Sequence, residues 1–130
     1  MYFPDSSASL ADVVVNYTQG PGVALPYANP AEALGVLEGS VSTGFVSLGD
    51  EGILTLQFTD NFLTTSGDSS YDLWVFEVSG LGPTALAVST DGADWIDVRT
   101  TLGDTAGIDI DTHIGSGIIL NEQYSFVRVF

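Results

Sequence analysis

No stretch of this sequence sustains a helical hydrophobic period for more than a turn or two, and that confines the chain to a β architecture. Short apolar and β-branched runs recur instead, cut apart by glycine, proline, serine and aspartate. They predict strands at Asp12–Tyr17, Phe45–Leu48, Gly52–Thr59, Tyr71–Val78, Thr84–Ser89 and Asp94–Thr100, a short piece at Ala106–Ile110, and a last strand at Tyr124–Phe130. About eight antiparallel strands suit an all-β jelly-roll sandwich. Between the first two lies TQGPGVALPYANPAEALGVLEGS, rich in Pro and Gly. Only NPAEAL within it reads as a capped helical turn, with Asn29 as N-cap and Pro30 at the first helical position. No repeat or composition break divides the 130 residues, so one domain, 1–130, is expected.

Alternation shows which faces are buried. In GILTLQF, Leu54, Leu56 and Phe58 oppose Ile53, Thr55, Gln57 and Thr59, the pattern of a strand with one face in the core. In YDLWVFEV, Asp72, Trp74, Phe76 and Val78 share one face, and Leu73, Val75 and Glu77 the other. Both faces are largely apolar, which predicts a central strand with its two acids at opposite ends. Each acid must then be solvated at a sheet rim, paired with an arginine, or bound to a cation.

Charge decides among these. Hydrophobic residues make up 45% of the chain and charged ones 15%, so a core is available, yet seventeen acids face only Arg99 and Arg128 for a net charge of −15. Two arginines cannot pair so many carboxylates. Phosphate backbones and anionic lipid surfaces are repelled, which excludes nucleic acid and membrane surfaces as partners and favours cations. Cysteine is absent, so no disulfide or thiolate site exists. No apolar stretch reaches the roughly 20 residues of a membrane span. The opening residues, MYFPDSSASLADVVVNY, lack the regions of a signal peptide, so an exported protein would have lost its leader or be represented by an excerpt.

Calcium is the cation that such oxygen-rich loops suit, since it takes six to eight oxygens from carboxylates, amides, carbonyls and water. The loop TDNFLTTSGDSSYD offers Asp60, Asn61, Asp68 and Asp72 between two predicted strands. A second set lies in GIDIDTH, where Ile108 and Ile110 point inward and Asp109 and Asp111 project together from the other face. Glu77 is a further candidate ligand. Neither loop follows an EF-hand or a glycine-rich nonapeptide repeat, and aspartate, asparagine and serine also gather in turns simply because they form Asx-turns. Taken as a set in a chain nearly free of bases, residues 60–72 favour calcium.

The segment VSTDGADWIDV, with its S-x-D-G-x-x-W hairpin, resembles the strand–turn–strand of galactose-binding-like domains, the discoidin and carbohydrate-binding-module jelly rolls. The terminal YSFVRVF is similar to their closing strand. The series EALG, VSLGDEGILTLQF, DLWVFEV, VSTDGADWIDV, GIDID and FVRV, from about Ala33 to Val129, resembles a bacterial cell-surface domain of that class. This resemblance implies a β-sandwich with structural calcium and an adhesin-like role recognising glycans or peptide ends outside the cell. Asp91-Gly92 fits the tight turn of such a hairpin. Trp95 and Trp74 are expected in the core, which leaves Tyr17, Tyr27 and Tyr71 as aromatics able to stack on a sugar.

Catalysis lacks its usual parts. His113 is the only histidine and reads as a loop residue, and no G-x-S-x-G or H-E-x-x-H motif appears. A carboxylate pair from Glu77, Asp109 and Asp111 would serve a small glycan hydrolase, but a deep cleft is hard to build at this size. The glycine clusters stand beside acids, unlike phosphate-cradling loops. The expectation is a non-enzymatic, calcium-stabilised binding module at the bacterial cell surface, the alternative being a calcium-stiffened spacer without a ligand of its own.

Overall fold

The computed structural model describes residues 10–24, 27–34, 45–75, 84–101 and 106–130. The chain is all-β, with antiparallel sheets and, among the described residues, short 3-10 turns at Pro30–Ala33 and Ile110–His113. The described strands are β1 (Val13–Thr18), β2 (Ile53–Gln57), β3 (Leu73–Val75), β4 (Thr84–Ser89), β5 (Ile96–Thr101), β6 (Ala106–Ile108) and β7 (Phe126–Val129). Five of them form a sheet in the order β1-β2-β7-β4-β5, and β3 pairs with β6 in a second, two-stranded sheet.

The two sheets share one apolar core, which gives the fold its sandwich character. Leu86 and Val88 of β4, Val98 of β5 and Val127 of β7 meet Leu73 of β3 and Ile108 of β6, with Ile110, Ile118, Leu63 and Tyr124 filling the space among them. Leu86, Val88 and Ile110 have no exposed surface at all. Tyr124, the largest fully buried side chain, keeps its polar end satisfied because its hydroxyl accepts the Ile119 N–H at 2.9 Å.

The S-x-D-G turn between β4 and β5 is built by two side chains. Ser89 Oγ accepts the Gly92 N–H at 2.8 Å, and Asp91 Oδ1 accepts the N–H groups of Ala93 at 2.8 Å and Asp94 at 3.0 Å. Gly92 takes φ +80, the left-handed geometry for which glycine is needed. Asn29 caps the first 3-10 turn through its side chain, with Pro30 following it, as expected from the sequence.

Four expectations fail. Residues 45–48 form no strand: Ser47 N–H donates to Tyr27 O and Leu48 O accepts Gly20 N–H, each at 2.8 Å, so loop backbone takes the bonds a ladder would use. The 71–78 segment is no central strand within its described part, where β3 has β6 as its neighbour in a two-stranded sheet; residues 76–78 lie outside the described set. Trp74 is accordingly exposed, at 37%, and not core. Trp95 is only half-buried and carries the Arg128 guanidinium over its ring, 4.3 Å from the centroid. Among the described residues, no helix is long and apolar enough to cross a membrane.

Candidate metal centre

The antiparallel register of β3 and β6 builds the site. Leu73 faces Ile108, Trp74 faces Gly107 and Val75 faces Ala106. One step further along the same register sets residue 72 opposite residue 109, and the Asp72 N–H indeed donates to Ile108 O at 2.8 Å. The chain then turns into the 3-10 segment Ile110–His113, which swings Asp111 to the same side. One carboxylate oxygen from each of Asp72, Asp109 and Asp111 lies within 4.8 Å of the other two, a cluster of three acids that could hold a metal ion.

Backbone N–H groups hold these carboxylates where lysines or arginines would otherwise be needed. Asp72 Oδ2 accepts the Ile110 N–H at 2.9 Å. Asp109 Oδ1 caps the 3-10 turn by accepting the Asp111 N–H at 3.0 Å. Asp111 grips the loop opposite with both oxygens, Oδ1 accepting Ser66 N–H at 3.0 Å and Oδ2 accepting Gly67 N–H at 2.7 Å. Apolar neighbours fix the frame, since Ile108 and Ile110 point into the core on either side of Asp109.

The three acids still strain against one another. Partial burial raises the Asp72 carboxyl above its ordinary value of 3.8 against the lowering effect of hydrogen bonds from the Ser66 hydroxyl and the Ile110 N–H, and the charges of Asp111 and Asp109 add a smaller upward push. A divalent ion among the three would remove that repulsion.

The acids expected in the loop after β2 divide differently. Asp60 lies beside Asp12, not in the cluster: Asp12 Oδ2 accepts Thr59 N–H at 2.7 Å, which lowers its own carboxyl. Lost hydration, then the hydrogen bond and charge of Asp12, raise Asp60. Asp68 closes a local Asx-turn, its Oδ1 accepting Ser70 N–H at 2.7 Å and the Ser66 hydroxyl at 3.2 Å, and its carboxyl is lowered by these bonds. Asn61 Oδ1 is buried without a hydrogen-bond partner. Glu77 lies outside the described residues. The structure thus takes Asp72 from the first expected set and joins it to Asp109 and Asp111 of the second.

Of the three tyrosines, Tyr17 donates its hydroxyl to Ser47 O at 2.6 Å and is half-buried, and Tyr27 stacks on Phe45 at 4.6 Å between ring centroids. Tyr71 alone stands near the acid cluster. It is 58% exposed and borders an open cavity of about 280 Å³ with Ser69, Asp109, Thr112 and His113, over the buried Val98 and Ile108. Sequence reasoning missed Ser69 and Thr112 and left His113 as a bare loop residue. Their sole signal is adjacency to Tyr71 and Asp111, which means something only once β3 and β6 are paired. No protein-family model, curated protein or solved structure matches the chain.

Proposed function

We propose that this chain is a calcium-stabilised, non-catalytic binding module on a jelly-roll sandwich, recognising a glycan or peptide outside a bacterial cell. The observation that carries the reading is the convergence of Asp72, Asp109 and Asp111, with oxygens within 4.8 Å, at the edge of an open cavity that Asp109 also lines. The donor set is all carboxylate, without histidine or cysteine, and hard oxygen donors select calcium or magnesium over zinc and copper. Calcium fits better, because its irregular, high coordination tolerates carboxylates already engaged by backbone N–H groups and fills its remaining positions with water. Positions of such an ion that the protein does not fill would be available to sugar hydroxyls or a terminal carboxylate.

The test is calorimetric titration of chelator-treated protein with calcium and, separately, magnesium, paired with melting curves. Saturable binding of calcium with a raised melting temperature supports the reading. An unchanged melting curve across millimolar calcium, with no heat of binding, refutes it.

One observation favours a second reading. All three carboxylates already accept backbone N–H bonds, so the cluster also serves as a clasp tying the 66–67 loop, β3 and the 3-10 turn together. That suits a spacer stiffened by calcium with no ligand of its own. Glycan and peptide arrays run with and without chelator separate the two: binding lost on chelation supports the recognition module, and silence from a folded, calcium-loaded protein supports the spacer.

A further inference from the structure

The loop that follows the 3-10 turn Ile110–His113 carries an apolar tip that the core does not use. Ile114 is 44% exposed, Ile119 61% and Leu120 55%, while Ile118 among them is buried. Single exposed aliphatic residues are ordinary, but here three stand close together in the chain. Leu120 also takes the second position of a tight turn, closed by the Glu122 N–H on Ile119 O at 3.1 Å, where proline or a polar residue is usual. The tip is held firmly. Ile119 N–H donates to the hydroxyl of buried Tyr124 at 2.9 Å, Asn121 N–H to Oγ1 of buried Thr65 at 3.0 Å, and the Thr64 hydroxyl to Glu122 O at 2.9 Å. His113 O accepts both the Ser116 and the Ile118 N–H, and a bridge between Ile114 and Ile118 draws the two ends of the patch together. Aliphatic groups presented on so restrained a backbone have little freedom left to lose when a partner covers them.

Charge decides the occupant. Acids flank the tip in the chain, Asp111 before Ile114 and Glu122 just after Leu120, within a molecule of net charge −15. A second copy would bring two such charges together, and an anionic lipid surface is repelled by the same field, whereas a basic partner is drawn in. A partner with basic residues alone would leave the three aliphatic side chains wet. We propose that Ile114, Ile119 and Leu120 form a docking surface for a basic amphipathic segment of another protein, whose apolar side chains cover these three and whose lysines or arginines face Asp111 and Glu122. None of the three aliphatic residues lines the cavity beside the acid cluster, so the surface is separate from that site and does not rest on a bound ion.

The experiment adds labelled peptides of about 18 residues to the chain in calcium-free buffer: lysine and leucine with the leucines on one helical face, glutamate and leucine in the same pattern, and lysine and serine without leucine. Fluorescence anisotropy gives the affinities, and NMR amide shifts locate the contact. The lysine–leucine peptide is expected to bind saturably, to move the Ile114, Ile119 and Leu120 amides, and to weaken about threefold or more as salt rises from about 50 to about 300 mM. Ile119→Ser combined with Leu120→Ser should weaken it about tenfold or more. A melting curve checks that the double variant folds, and the amide shifts of the parent chain carry the test should it not. The surface is overturned if the lysine–serine peptide binds as tightly, if the glutamate–leucine peptide moves the same amides, or if the double variant binds unchanged. It is equally overturned if sedimentation shows a dimer of the parent that the double variant loses, or if vesicles of phosphatidylcholine and phosphatidylglycerol capture the parent and not the variant.

Discussion

Replacing Asp72 with asparagine separates the ion from the hydrogen bonds around it. Asparagine keeps an acceptor oxygen for the Ile110 N–H, now 2.9 Å from Asp72 Oδ2, and changes the volume hardly at all. Only the charge goes. In the ion-free protein two effects then oppose each other. Like charges separated by no more than 4.8 Å repel by about 1 kcal/mol per pair at water-like screening and about 3–4 kcal/mol at protein-like screening. Asp72 sits at a partly exposed rim, so the lower figure applies, and its removal relieves about 1–2 kcal/mol over two neighbours. Against this, the charge-assisted bonds from the Ser66 hydroxyl and the Ile110 N–H become neutral ones, losing about 1–2 kcal/mol together. The ion-free variant should therefore melt within a few degrees of the parent.

With calcium the sign changes. A site saturated a hundredfold above its Kd stabilises the parent by about 2.7 kcal/mol, or about 10 °C for a domain of this size. Loss of one of three carboxylates that weakens the ion about a hundredfold leaves about 0.4 kcal/mol, little more than 1 °C. The assay is differential scanning calorimetry of both proteins after chelation and again in calcium. Equal calcium shifts in parent and variant, or none in either, would refute the reasoning.

Two further outcomes follow from the geometry. Leu86, wholly buried where β4 crosses the shared core, should lose about 2–5 kcal/mol as Leu86→Ala in urea unfolding, and a loss below about 1 kcal/mol would contradict its place there. In ion-free protein, carboxyl NMR titration should place Asp91 below 3.8, held down by the Asp94 and Ala93 N–H groups and the Ser89 hydroxyl, and Asp72 above it. Asp91 then contributes stability above pH 3.8 that disappears as pH falls through its lowered value, whereas Asp72 favours the fold below 3.8 and loses that contribution as pH rises through its raised value; reversed midpoints would overturn both assignments.

Local pattern makes much of the fold legible. Thr84–Ser89 coincides with β4 residue for residue, because an apolar run ends at a serine and an Asp-Gly turn that the side chains themselves build. Residues 45–48 carry the same β-prone composition, but backbone pairing depends on which neighbour arrives, and here a loop does. The site is half legible for the same reason. Asp109 and Asp111 stand two apart and group together from the sequence alone, though a 3-10 turn and not a strand brings them together. Asp72 reads as one of a set with its chain neighbours Asp60, Asn61 and Asp68, since no local rule links it to residues 109 and 111. Only the β3–β6 register does.

Arg128 has a different lesson. Its guanidinium lies 4.3 Å from the centre of the Trp95 ring and 5.4 Å from that of Phe130. Attraction to a ring face has no proton to lose and is less sensitive than a surface ion pair to dissolved salt. The strap it forms between the terminal strand and the Trp95 segment should thus outlast the carboxylate clasps when the solution is acidified.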